Sequence, residues 1–392
     1  MENNKNTLEN LLKKVQDMRA AKEDLIAPTN NLQFRTVEST SSNNKSSEII
    51  LEGEGGIKTR ILKVNDVCFD QIAADKTEGE SFLDVRTARR LRRDYPNQFD
   101  NLINAHWQQR PKQKTIRSFV HENSFDHIDG TARAFVSDKF NTFDNEDLLE
   151  AALPSLMESN AQWEIVNADI TEKRLYARFK SKVIEGIGAG VGDIMALGLG
   201  LSNSETGHGS ISLFQINWTL ACTNGMQTEN RTRSNHVTSS RSDASQWKLL
   251  SDETKDLDNR ALKAKIRDLA IAFSSRDSFD EVLEKMRIAS EDVIEGEIIN
   301  SKAIPALAEV LKINKKDTSP ILEGLLKTVQ QAGYNNTRPN RATLVNAVTA
   351  VANTVDPDSV DDWQKYGGQI LNMSPSNWSK INKASLEPKE AA

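Results

Sequence analysis

The sequence predicts an α+β protein, with a central, mainly antiparallel sheet built from hairpins over about 60–240 and a helical region after it. Three observations carry this. From Thr115 to about Val237 apolar residues alternate with polar ones in short runs, separated by Asn, Asp and Gly turn signals. From Ser251 onward the apolar spacing changes to three and four, the helical period. Runs of strands followed by runs of helices define this class. The densest hairpin is 194–222: an apolar strand Ile194–Leu201, a polar turn SNSETGHG at 202–209, and a second strand Ser210–Cys222 closed by Asn224-Gly225.

In chain order, residues 1–28 form an expected helical arm. Leu8, Leu11, Val15, Met18 and Leu25 follow a/d spacing across 5–26, Lys22 is the exception, and Pro28 stops the run. Residues 29–59 hold a strand at 29–37 and the apolar-free linker ESTSSNNKSSE, 38–48. A strand resumes at 49–51, turns through GEGG and continues at 57–64.

The core domain is placed at 60–240. Asp84 caps a helix reaching Tyr95, and Pro96 ends it; a second helix spans Gln98–Trp107. Strands follow at 115–121 and 131–140, then a helix at 147–158 and a hairpin at 162–169 and 174–180. The loop 185–192 reads EGIGAGVG, and a last strand covers 229–237. The Ser-rich stretch near 240 marks a boundary, and the region 241–392 carries helices at 252–275, 278–291, 301–313, 319–333, 341–354 and 356–368. LEPKEAA reads as a frayed tail.

Hydrophobic residues make up 38% of the chain and no run of 18 apolar residues occurs, which argues against a membrane span. The N-terminus has no apolar core of a secretory signal. The two cysteines, Cys68 and Cys222, lie in apolar surroundings and read as buried reduced thiols, so a cytoplasmic setting is expected. The net charge of −6 argues against a general nucleic-acid coat, but not against a local basic face.

Such a face stands between Asp84 and Arg117. Arg86, Arg89, Arg90, Arg92, Arg93, Arg110, Lys112, Lys114 and Arg117 oppose only Asp84, Asp94 and Asp100, a local excess of six positive charges. Guanidinium forks suit phosphates, and His106 and Trp107 between the two clusters offer rings on which bases stack. A solvated helix face is the plain alternative. His121, Asp126, His127 and Asp129 fall on one turn, with imidazole and carboxylate donors for a divalent metal, but their spacing matches no named motif. Gly186, Gly188, Gly190 and Gly192 lack the Gly-Lys-Ser/Thr ending of a phosphate loop. Ser204 and His208 lack the setting of a nucleophile elbow, and His208 is expected to be exposed.

Four blocks carry a family resemblance. They are Arg133-Ala134-Phe135-Val136-Ser137-Asp138-Lys139-Phe140 with Phe143-Asp144-Asn145; Gly192-Asp193 followed by Leu201-Ser202-Asn203-Ser204-Glu205-Thr206-Gly207; Cys222-Thr223-Asn224-Gly225-Met226; and Asn346-Ala347-Val348-Thr349. Together they resemble the phage/plasmid-like protein family, a domain-of-unknown-function family of phages, prophages and plasmids, over about 60–370. The resemblance implies that Arg133, Asp138, Asn145, Asp193, Asn203, Ser204, Gly207, Cys222, Asn224 and Gly225 are motif residues. It implies a mobile-element setting of replication, recombination or host interference, and no catalytic residue or cofactor carries over.

The expected function is therefore a non-enzymatic nucleic-acid-binding protein, handling single strands in recombination or replication. One alternative is a self-assembling or protein-interaction module, motivated by the arm and by the acidic 251–300 region, with 13 acidic residues to 8 basic. Another is a metal-dependent nuclease using Asp126, His127 and Asp129 with Glu205, Asp193 or His208.

Overall fold

The computed structural model describes residues 5–38, 45–53, 58–77, 79–188, 194–219, 224–234, 251–299, 301–314, 318–330 and 338–388. The long strands divide between two sheets rather than one, and a two-residue pair stands apart from both. The chain enters with helix α1 (Lys5–Ala21), then β1 (Lys22–Pro28), β2 (Leu32–Glu38), β3 (Lys45–Leu51) and β4 (Thr59–Val64). Helix α2 (Asp66–Ala73) and a two-residue hairpin, β5 (Lys76–Thr77) with β6 (Glu80–Ser81), lead to α3 (Val85–Asp94) and α4 (Pro96–Gln109). The long hairpin β7 (Gln113–Asn123) and β8 (His127–Ser137) completes the first sheet, in the order β1-β7-β8-β4-β3-β2. Its only parallel pair is β4 with β8.

Local signals fix the helices on this sheet. Asn65 caps α2 by accepting from the Cys68 amide at 2.8 Å, and Asp84 caps α3 by accepting from the Thr87 amide at 2.9 Å. Pro96 opens α4, where its missing N–H is no loss. Phe69, Ile72, Ala88, Phe99, Ile103 and Trp107 from these helices pack on the sheet. Burial of each large apolar side chain stabilises by roughly 1.5–3 kcal/mol.

The expected helix 5–26 ends at Ala21. Residues 22–28 are an edge strand, held antiparallel to β7 with Lys22 opposite Phe119 and Pro28 opposite Gln113. Leu11 and Val15 of α1 are buried inside the chain, against Leu148, Leu149 and Ala152 of α5 (Asn145–Glu158). The arm's apolar stripe is therefore covered by its own chain.

The second sheet is an antiparallel meander of β9 (Trp163–Ile170), β10 (Leu175–Ile187), β11 (Ile194–Asn203), β12 (Ile211–Thr219) and β13 (Asn224–Ser234). Its centre is unusually glycine-rich for a physical reason. A Cβ on Gly198 would lie 2.2 Å from the Trp218 ring and one on Gly200 2.2 Å from the Phe214 ring, so neighbouring aromatics lie over bare backbone. Asn224 and Gly225, expected to turn, open β13 instead, with Gly225 opposite Trp218. A Cβ there would meet both Ile216 and Gln364 at 2.9 Å.

The helical region is α6 (Asp252–Phe273), α7 (Arg276–Glu291), α8 (Ala303–Leu311), α9 (Thr318–Gln330), α10 (Arg341–Ala350), α11 (Pro357–Leu371) and α12 (Pro375–Ser385). The last was not expected from the sequence. These helices are built onto the second sheet. Ile266 and Ala270 of α6 share a core with Leu199, Leu201 and Leu213. Asp361 of α11 takes a 2.6 Å bond from buried Arg178 on β10. The Ser-rich stretch at 240 lies outside the described residues.

Candidate functional site

The turn after β11 reads as a surface loop, yet its first residues, 203–206, are buried between the two sheets. Asn203 and Ser204 are fully covered, and Glu205 and Thr206 nearly so. Such polar residues tolerate burial because each finds a partner. Asn203 donates to the Phe143 carbonyl at 3.0 Å, and Ser204 donates to the Lys173 carbonyl at 2.7 Å. Gln71 of α2 donates to the Thr206 carbonyl at 2.6 Å and accepts from the Phe135 amide at 2.8 Å. Gly207 is needed for its conformation, with φ of +79°.

Around this turn stands a buried ion cluster. Arg117 has no exposed surface. It donates to Asp144 at 2.6 Å, to Asp24 at 3.2 Å and to the Glu205 carbonyl at 2.9 Å. Lys22 also pairs with Asp144, and Arg133 pairs with Glu205. The other Glu205 oxygen accepts from the Asn145 amide at 2.7 Å. Burial alone would raise the Asp144 carboxyl, but Arg117 and Lys22 overcome it and hold it at about 2. Thus Arg133, Asn145, Asn203, Ser204 and Gly207, far apart in sequence, meet at one junction. Asp138, just past β8, accepts from Ser137. Asp193 and Cys222 lie outside the described residues.

Expectations for the basic tract need correction. Arg117 is the centre of the ion cluster, and Trp107 is 2% exposed in the first core, stacked on Phe135. Neither reaches a nucleic acid. His106 stacks on Phe82 at 3.8 Å instead of offering its face. Lys112 and Lys114 converge on Asp75, itself 7% exposed, at 2.9 and 2.5 Å. Burial would raise that carboxyl, but bonds from Lys114 and Lys112 keep it below its usual range. Arg92 lies half-buried over the Phe69 ring at 4.1 Å.

Arg86, Arg89, Arg90 and Arg93 remain exposed on α3. Arg89 grips Asp70 at 2.8 Å, while Arg93 and Arg90 share Asp94 at 2.8 and 3.7 Å. Arg110 is exposed just past α4. Helix α2 joins this face to the buried turn, since Asp70 holds Arg89 and Gln71 holds Thr206. Of the expected loop 185–192, residues 189–192 lie outside the described residues, and Glu185 and Gly186 stand elsewhere, near the end of β10. The Glu185 carbonyl accepts from Arg276 of α7, and a Cβ on Gly186 would strike Leu283 at 2.3 Å. That close packing leaves no phosphate cradle at Gly186.

The metal expectation also changes. Asp126, His127 and Asp129 do meet, but both ring nitrogens of His127 bind carboxylates, at 2.8 and 3.1 Å. The Asp126 bond raises the His127 pKa and favours the imidazolium, which has no lone pair for a metal. Among the described residues no group of three or more His, Cys, Asp or Glu is arranged to hold a metal ion. Ser204 and His208 form no nucleophile pair. His208 is half-buried rather than exposed, its Nδ1 lies 3.2 Å from the Thr206 carbonyl, and burial lowers its pKa.

Sequence reading missed Lys22, Asp24 and Asp144 as members of the cluster. The one available signal was Lys22, which interrupts the a/d pattern where α1 ends. Comparison with family models, curated proteins and solved structures finds no match to this chain.

Proposed function

We propose that the protein binds nucleic acid, single strands included, through the exposed arginine face of α3, without catalysing a reaction on it. The carrying observation is the display of Arg86, Arg89, Arg90 and Arg93 on one ten-residue helix anchored by buried Ala88. Arg89, Arg90 and Arg93 do have acidic partners, and the energetics decide whether those matter. Exposed ion pairs are worth only about 0–1 kcal/mol, so a phosphate can displace them. The Lys112 and Lys114 pairs sit on a buried carboxylate, and the phosphate path does not extend to them. The resemblance to a mobile-element family agrees with a role in replication or recombination.

Fluorescence anisotropy with labelled single- and double-stranded DNA tests the reading. With four phosphate contacts on a single strand, log K falls against log salt with a slope of about −3. Replacing Arg86, Arg90 and Arg93 together with Gln removes most of that slope while leaving the fold intact. Absence of binding by the wild-type chain at low salt refutes the proposal.

A further inference from the structure

A cleft of about 320 Å³ opens beside the ion cluster, between β7 and β8 of the first sheet, the β9–β10 turn of the second and α1. We infer that it binds a small molecule consisting of an oxyanion head group on a planar or apolar body. Its volume falls at the lower end of the range of small-ligand sites.

Arg133 lines the cleft with a side chain only 6% exposed. Its Nη1 holds Glu205, but Nε and Nη2 are shielded from solvent and have no hydrogen-bond partner. Leaving two donors of a buried guanidinium unmade is costly, and an oxyanion that displaces the groups covering that edge satisfies it bidentately. Phe119 covers the guanidinium face at 4.5 Å and limits its rotation.

Charge and shape agree with this. The lining has four cations, Lys14, Lys173, Arg133 and Arg174, against the carboxylates Glu172 and Glu205. Glu205 is already answered by Arg133 and the Asn145 amide. Lys14 and Lys173 are half-exposed and each lies 3.6 Å from its aspartate, and Lys14 also donates to the Ile170 carbonyl at 2.8 Å. An incoming anion competes with these contacts, and ion pairs this exposed are weak. Met18, Phe119, Ile170 and Leu175 supply an apolar wall for the body. An aryl carboxylate and a nucleoside monophosphate share this chemistry. The inference rests on the cleft alone, not on the α3 reading.

Isothermal titration of the full chain with adenosine monophosphate, adenosine and benzoate tests it. Saturable binding of adenosine monophosphate or of benzoate is expected, and which of the two binds assigns the head group. Lys14→Gln with Lys173→Gln, both at the cleft mouth, weakens binding by about ten-fold, the effect of about 1.4 kcal/mol, without lowering the unfolding temperature. The Gln variant of Arg86, Arg90 and Arg93 binds the same small molecule unchanged. The inference is overturned by any of four results: neither anion saturates at millimolar concentration; adenosine binds as tightly as its monophosphate; the lysine variant binds as wild type does; or the α3 variant loses binding.

Discussion

Arg117 stands directly opposite Asp24 in the β1–β7 ladder, and that register turns a presumed phosphate contact into a structural ion. Removing one partner of such a cluster strands the others without water. Asp144 makes the point testable with pH. Its folded pKa of about 2 lies below the unfolded value of about 3.9, so its contribution is present above about pH 4 and lost as pH falls through 2. The full difference corresponds to about 2–3 kcal/mol. By pH 2, where the folded carboxyl is still half ionised, about 2 kcal/mol of it is lost. In denaturant titrations, the stability gap between wild type and Asp144→Asn is therefore expected to close by about that amount between pH 5 and 2. A constant gap contradicts the assignment. At this scale the sequence named many of the right residues and gave several of them the wrong surroundings. Arg133, Asn145 and Asn203 stand out in the sequence, and the structure brings them to one junction through Glu205 and the Asn145 side chain. Trp107 and Arg117 were read as surface because a basic run says nothing about which members face a sheet partner 93 positions earlier, as Arg117 faces Asp24.

The elements were more legible than the contacts between them. Asp84, Pro96 and the change of period at Thr115 placed α3, α4 and the β7–β8 hairpin. Helix α1 ran too long on paper because Leu25 continues its a/d pattern, while β-pairing with β7 wins over the last turn and a half. What remains of α1 is packed, with Leu11 at 4% exposure and Val15 at 5%. Leu11→Ala is thus expected to destabilise by about 2–4 kcal/mol in urea unfolding. A free arm would tolerate the change, and a loss under 0.5 kcal/mol would show that the helix is not docked.

In the whole molecule the sheets and the helical region depend on one another. Composition predicts a boundary near 240, a stretch outside the described residues, but composition does not show that α6 covers Leu199 and Leu201, or that α11 carries the partner of Arg178. A chain ending at residue 240 exposes that apolar face and strands Arg178. It is expected to bind a hydrophobic dye and to lose cooperative unfolding. Sharp unfolding of that fragment would establish an independent N-terminal domain.

The pairing of β1 with β7 also sets an order of events during synthesis. Residues 22–28 leave the ribosome well before their partners at 113–119, which follow some ninety positions later. At about 5–20 residues per second that is a wait of roughly 5–20 s. Glu205, whose carbonyl completes the coordination of Arg117, comes later still. Residues 22–28 are therefore unpaired throughout that interval, and the nascent segment is open to chaperones and to proteases.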